Sequence, residues 1–154
     1  MNYKQTRINK LREYLFGIID TLTNDNNYQI NANMLSKDIN NYSLDKIPAE
    51  STIEKWITGL EVHKDVFSFR SRMAYSLDAA NNLKNIGFFE KFENIVETKN
   101  EKGELPDING IESIVCLNAG TMVKNNDGNT AEFDIQIQII YKNYGEEEEI
   151  NVSL

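Results

Sequence analysis

Residues 130–142 read TAEFDIQIQIIYK. Phe133, Ile135, Ile137, Ile139 and Tyr141 occupy alternate positions, with Glu132, Asp134, Gln136 and Gln138 between them. Successive side chains of a β-strand point to opposite faces, so this stretch predicts a strand with one apolar and one polar wall. An apolar wall of that length needs a cover. Two helical stripes elsewhere in the chain, at residues 8–22 and 78–97, are the candidates. The polar wall is rich in Gln and carboxylate, and suits contact with water, a lumen or another subunit.

Working outward, NNDGN (125–129) holds an Asp-Gly pair, a strong hairpin signal, and joins this strand to a preceding one at Ile111–Val123. In that strand the alternation places Ile111, Ser113, Val115 and Leu117 on one face and Ile114 and Cys116 on the other. A further strand is expected over KDVFSFRSRMAYS (64–76), with Phe67, Phe69, Met73 and Tyr75 on one face, interrupted by Ser71. Arg70 and Arg72 share its other face. Such a pair suits a solvated edge or carboxylate partners, and at least one arginine is expected to bridge to a carboxylate, either across the sheet or across a subunit boundary.

The N-terminal stripe Ile8, Leu11, Leu15, Ile18, Ile19, Leu22 predicts an amphipathic helix with Thr6 as its N-cap. A second helical region opens at Ser76–Asp78. Ala79, Ala80, Leu83 and Ile86 fit one face of a first segment; Gly87 breaks it, and Phe88, Phe92, Ile95 and Val96 form the stripe of a second. Residues 28–45 are rich in Asn and predict a short strand followed by a loop or one helical turn. Thr52–Gly59 reads as a short strand, with Trp56 as a core or interface anchor. After Gly145 come four glutamates and INVSL, a solvated run followed by alternating apolar residues that could pair at a sheet edge. The resulting class is α+β, in one domain over residues 1–154: an antiparallel (mixed-order) sheet of four to five strands with helices on one face, and an acidic segment at 145–154.

Composition narrows the function. At 154 residues and 40% hydrophobic, the chain can bury a real core. Against 16 basic residues stand 24 acidic ones, a formal charge of −8, which argues against gripping nucleic acid but not against letting DNA slide past. One cysteine, Cys116, fits a reducing compartment. The opening MNYKQTRINK lacks the apolar core of a signal peptide, and no window suits a membrane helix, so a cytoplasmic site of synthesis and no membrane partner are expected.

Catalytic signals are sparse. His63 is the sole histidine, read in a Glu-Val-His-Lys turn with no second ligand at metal-binding spacing. Cys116 sits in apolar company, and there is no glycine-rich phosphate loop. Glu132 and Asp134, on one strand face, could hold a hard cation or do acid–base work, and are the pair an enzyme would use, but an acidic surface produces such pairs by chance. No catalytic residue, metal or cofactor is expected.

The order helix, weak strands, aromatic-rich strand, broken helix and long hairpin, together with FSFRSRMAYS (67–76), NIGFFEKFENIVE (85–97) and TAEFDIQIQIIY (130–141), resembles the tail terminator proteins of long-tailed phages and prophages. In phages of Gram-positive bacteria these are often labelled minor capsid or minor tail proteins. Phe67, Phe69, Arg70, Tyr75, Gly87, Phe88, Phe89, Phe133, Ile135 and Ile137 carry the resemblance as packing positions; Glu146–Glu149 and INVSL have no counterpart in it. It implies a structural virion protein, not an enzyme. Six copies would form a ring that caps the tail tube protein, ends polymerisation and presents a surface to the head–tail connector or, in contractile tails, to the sheath. DNA would pass through the lumen without specific binding. The interface residues expected on this reading are Arg70, Arg72, Glu132, Asp134, Gln136 and Gln138. Another neck or tail completion protein, or a small phage-encoded enzyme or inhibitor, are the alternatives.

Overall fold

The structure is a computed structural model and describes residues 2–23, 30–32, 35, 41–48, 52–75, 79–126 and 130–143. A short 3-10 turn (Tyr3–Gln5) leads into α1 (Arg7–Thr23). Thr6 caps α1 as expected: its Oγ1 accepts from the Asn9 N–H at 3.3 Å and its carbonyl from the Lys10 N–H at 3.0 Å. The strands are β1 (Ile30–Ala32), β2 (Asn41–Ile47), β3 (Thr52–Lys55), β4 (Glu61–Ala74), β5 (Ile111–Asn126) and β6 (Thr130–Asn143), with α2 (Ala79–Glu101) between β4 and β5.

All six strands join one sheet in the order β1-β2-β4-β6-β5. β6 lies along one side of β4 from Glu61↔Asn143 to Ala74↔Thr130. The other side of β4 is shared by β2, against Val66–Arg72, and β3, against Glu61–His63. The α+β class holds, but two expectations about the sheet need correction. Among the described residues there are six strands rather than four or five, and β1 runs parallel to β2, so the sheet is mixed. The Asn-rich region supplies two strands, β1 and β2, where one strand and a loop or helical turn were expected, since Asn is depleted in strands.

Alternation along β6 is realised in full: Ala131, Phe133, Ile135, Ile137, Ile139 and Tyr141 are buried, while each intervening residue from Glu132 to Ile140 is half-buried. The rungs Phe67↔Ile137, Phe69↔Ile135 and Met73↔Ala131 extend this wall onto β4. α1 places Leu11, Leu15, Ile18 and Ile19 in the same core, and α2 places Phe89, Phe92 and Val96 there. Phe69 is stacked between Tyr42 (centroids 5.3 Å apart) and Phe92 (5.6 Å), and Phe89 meets Phe133 at 5.1 Å. Offset aromatic packing of this kind adds about 0.5–1.5 kcal/mol per pair beyond burial. Both helices therefore cover one face of the sheet.

Three local readings change. Gly87 does not break α2, which runs through it as one helix; a mid-helix glycine costs only about 1 kcal/mol, and tertiary packing outweighs that. Leu83 and Ile86, expected on the packed stripe, are 65% and 53% exposed. His63 lies within β4 rather than in a turn. The helix start at Ser76–Asp78 and the terminal segment EEEEINVSL lie outside the described residues. So does the Asp-Gly pair expected to turn the hairpin; the Asn126↔Thr130 pairing joins β5 to β6 on either side of it.

Candidate subunit interface

The six residues expected at an interface come together on the sheet face away from the helices. Arg72 is the rung partner of Glu132, and Arg70 of Asp134; Gln136 and Gln138 continue the row opposite Ser68 and Val66. Arg72 Nη2 donates to Glu132 Oε1 at 2.9 Å, with the two side chains only 9% and 16% exposed. Arg70 reaches the other way, donating from Nε to Asp45 Oδ2 at 2.7 Å and from Nη2 to Ser43 Oγ at 3.4 Å. The Ser68 hydroxyl donates to Asp134. Each arginine thus finds its carboxylate within the chain, one of the two outcomes that the sequence allowed. The arrangement braces β2, β4 and β6 across their polar side. Glu132 and Asp134 are both engaged, by Arg72 and Ser68, rather than paired with each other around a shared proton or cation.

A second polar cluster sits on the helix-covered face. Asp65 is 3% exposed and shares a wall with Phe67 and Phe69. A buried carboxylate must be paired. Asp65 accepts from Arg7 Nε at 3.0 Å and from the Tyr141 hydroxyl at 3.4 Å, and Lys46 Nζ lies 3.5 Å away. Arg7 also covers the Tyr141 ring at 4.7 Å, and His63 stacks on the same ring at a centroid distance of 5.4 Å while contacting Glu61 at 2.7 Å. Burial foremost raises the Tyr141 pKa, with Arg7 opposing and Asp65 adding, so its hydroxyl stays protonated and free to donate. The cluster borders a polar cleft of about 210 Å³ lined in part by Arg7, Lys10, Asp107 and Lys142. Sequence reasoning passed over Asp65, although one acidic residue in phase with Phe67 and Phe69 is itself a sign of a buried ion pair.

Cys116 is half-buried on β5, and burial, then the Glu93 and Glu97 carboxylates, push its pKa up to about 12. A thiol so held is protonated at neutral pH and a poor nucleophile. Among the described residues no group of three His, Cys, Asp or Glu side chains could hold a metal ion.

Trp56 is not in the core. It is 51% exposed beside Ile57, which is fully exposed, at the tip between β3 and β4. Of its two expected roles, packing inside the core is thereby ruled out. In comparisons with known proteins, no family model and no curated protein matches this chain.

Proposed function

We propose that this chain is a structural subunit of a long-tailed phage or prophage, a tail terminator that assembles as a ring, six copies by resemblance, on the end of the tail tube. The observation that carries this reading is the sheet's second face. It is a continuous polar row (Arg70, Arg72, Glu132, Asp134, Gln136, Gln138) locked by internal ion pairs, on a chain of net charge −8. The row itself is charge-balanced, two arginines against two carboxylates, and leaves no unpaired cation there for phosphate; with the chain's net charge of −8 this suits a passage through which DNA must move without sticking. A small single-sheet domain also leaves edges and hairpin tips for head-to-tail contacts that close into a ring. Capping is competitive: the ring occupies the tube end, the next tube subunit finds no edge to extend, and the ring's opposite side meets the connector or the last sheath layer. The protein would then reside in the virion neck, after assembly in the host cytoplasm.

The enzyme alternative loses ground because Glu132 and Asp134 are tied to Arg72 and Ser68. Electron micrographs of particles made without this protein test the proposal. Tails of uncontrolled length that fail to join heads are expected. Tails of normal length that merely stay unattached would reassign the chain to neck completion.

A further inference from the structure

Large apolar side chains that remain exposed fall mainly into two groups. One is the β3–β4 tip. There the Trp56 N–H donates to the Leu60 carbonyl at 2.8 Å and the Gly59 N–H to the Trp56 carbonyl at 3.0 Å. Gly59 has φ 91°, a left-handed conformation that glycine adopts without strain. This turn displays Trp56, 51% exposed, and Ile57, 108% exposed, with Ile53 on β3 at 48%.

The second group lies on β5 and the first half of α2. Leu117, Met122 and Val123 of β5 are 49%, 46% and 61% exposed, and on α2, which packs on β5, Leu83 and Ile86 are exposed as well. Leu117 and Val123 fall at register slips, where an extra residue turns a side chain out of the sheet's alternation. Phe89 ties the two elements together: its ring lies against Gly120 of β5, and Ile86 precedes it by about one turn of helix.

These groups cannot meet within one chain. β3 borders β4 on the side away from β6, whereas β5 lies beyond β6. They also sit at opposite ends of the sheet: β3 pairs next to the rungs of Tyr141–Asn143, while Met122 is opposite Phe133. We infer that the Trp56–Ile57 knob of one copy packs on the β5–α2 patch of a second copy. This deepens the ring reading and rests on it. The contact is head-to-tail, so every copy carries one free knob and one free patch, and closure into a ring satisfies both.

Area supports a second copy as the occupant. The fractional exposures amount to about five whole side chains. At no more than about 200 Å² apiece, the aromatic scale, complete burial of both groups covers at most roughly 1,000 Å². That is near the roughly 1,000 Å² at which a specific interface becomes credible. Trp is also the residue type most enriched among binding hot spots.

The test uses the full chain in sedimentation velocity at concentrations up to about millimolar. The wild type should self-associate, and Trp56→Ala should weaken association at least about tenfold. A knob variant (Trp56→Ala with Ile57→Asp) and a patch variant (Met122→Asp with Val123→Asp) should each stay monomeric and keep the wild-type circular dichroism. Mixed together they should form a 1:1 dimer, because that pair retains one intact knob and one intact patch. Leu83→Asp provides a second patch variant should the first fail to fold. A wild type that is monomeric throughout, knob and patch variants that associate as well as wild type, or a mixture that yields no dimer would each overturn the contact. Tail length does not enter this measurement. Association through these surfaces with normal tails in the protein's absence would leave the contact standing and remove the terminator reading; lost length control with monomeric chains would do the reverse.

Discussion

β6 has two neighbours of opposite character. Toward β4 the pairing runs without a slip from one end to the other. Toward β5 it slips at four places, between Ile111 and Ser113, Cys116 and Asn118, Asn118 and Thr121, and Met122 and Lys124. The regular side has both walls spoken for, with helices over the apolar one and ion pairs along the polar one. The slipped side is an outer strand that exposes Leu117, Met122 and Val123. Regular pairing conserves a core, because a one-residue shift would send every side chain to the wrong face. Bulges release single side chains from that constraint and make them available to something outside the chain. Stability and display are therefore carried by different strands.

The strongest way to break this comparison is truncation on both sides of it. Phe92→Ala or Ile137→Ala, each emptying a fully buried site, should cost about 2–5 kcal/mol in denaturant unfolding. Leu117→Ala, at an exposed bulge, should cost no more than about 0.5 kcal/mol. Similar losses at the two kinds of site would show that β5 is as much core as β6.

A smaller effect sharpens the boundary between the regions. Gly120 has φ 80°, and a Cβ there would lie 2.2 Å from Phe89 Cδ2. Gly120→Ala should destabilise by about 1–3 kcal/mol, since α2 must move off β5 to admit the methyl group. An unchanged unfolding midpoint would mean that α2 does not rest on this strand.

The last expected effect is alkaline, and it is the smallest only at the foot of the titration, near pH 9. Cys116 is held at a pKa of about 12 from an ordinary value of 9.0, and Tyr14 and Tyr141 are also raised, chiefly by burial. Above about pH 9 the unfolded chain releases the thiol proton while the folded chain keeps it, so stability falls as pH rises toward 12. Cys116→Ala should flatten the first part of that fall in a series of urea melts. An equally steep decline in the variant would place the alkaline sensitivity in the tyrosines alone.

Most of the regular region was legible in the sequence because strict alternation has few readings. Residues 130–142 and the aromatics of β4 announced both their strands and the inner face, and the 3.6-residue stripe of α1 announced its cover. Arg70, Arg72, Glu132 and Asp134 could be placed on one polar face for the same reason. What was not legible depended on partners far along the chain. Tyr42 and Leu44 pack inward from an Asn-rich stretch whose own propensity opposes a strand. Ser71 interrupts the apolar row of β4 because it stands on one rung between Tyr42 and Phe133, where a small residue separates two large rings. Gly87 looked like a break because local propensity was the only cue, and the packing of Phe89, Phe92 and Val96 overrode it. The slips in β5 left no mark, since a bulge is read only against the strand beside it.

The route from β4 to β6 has a consequence in time. Only residues 127–129 separate β5 from β6 in the chain, and hairpin formation over so short a span is an event on the scale of about 1–10 μs. Pairing β4 with β6 instead closes a loop that contains all of α2 and β5, and the entropy of that closure is spent before any rung rewards it. The hairpin can therefore be in place while the apolar wall of β6 is still waiting for β4 and the helices, which leaves that wall open to wrong partners whenever the complete chain refolds.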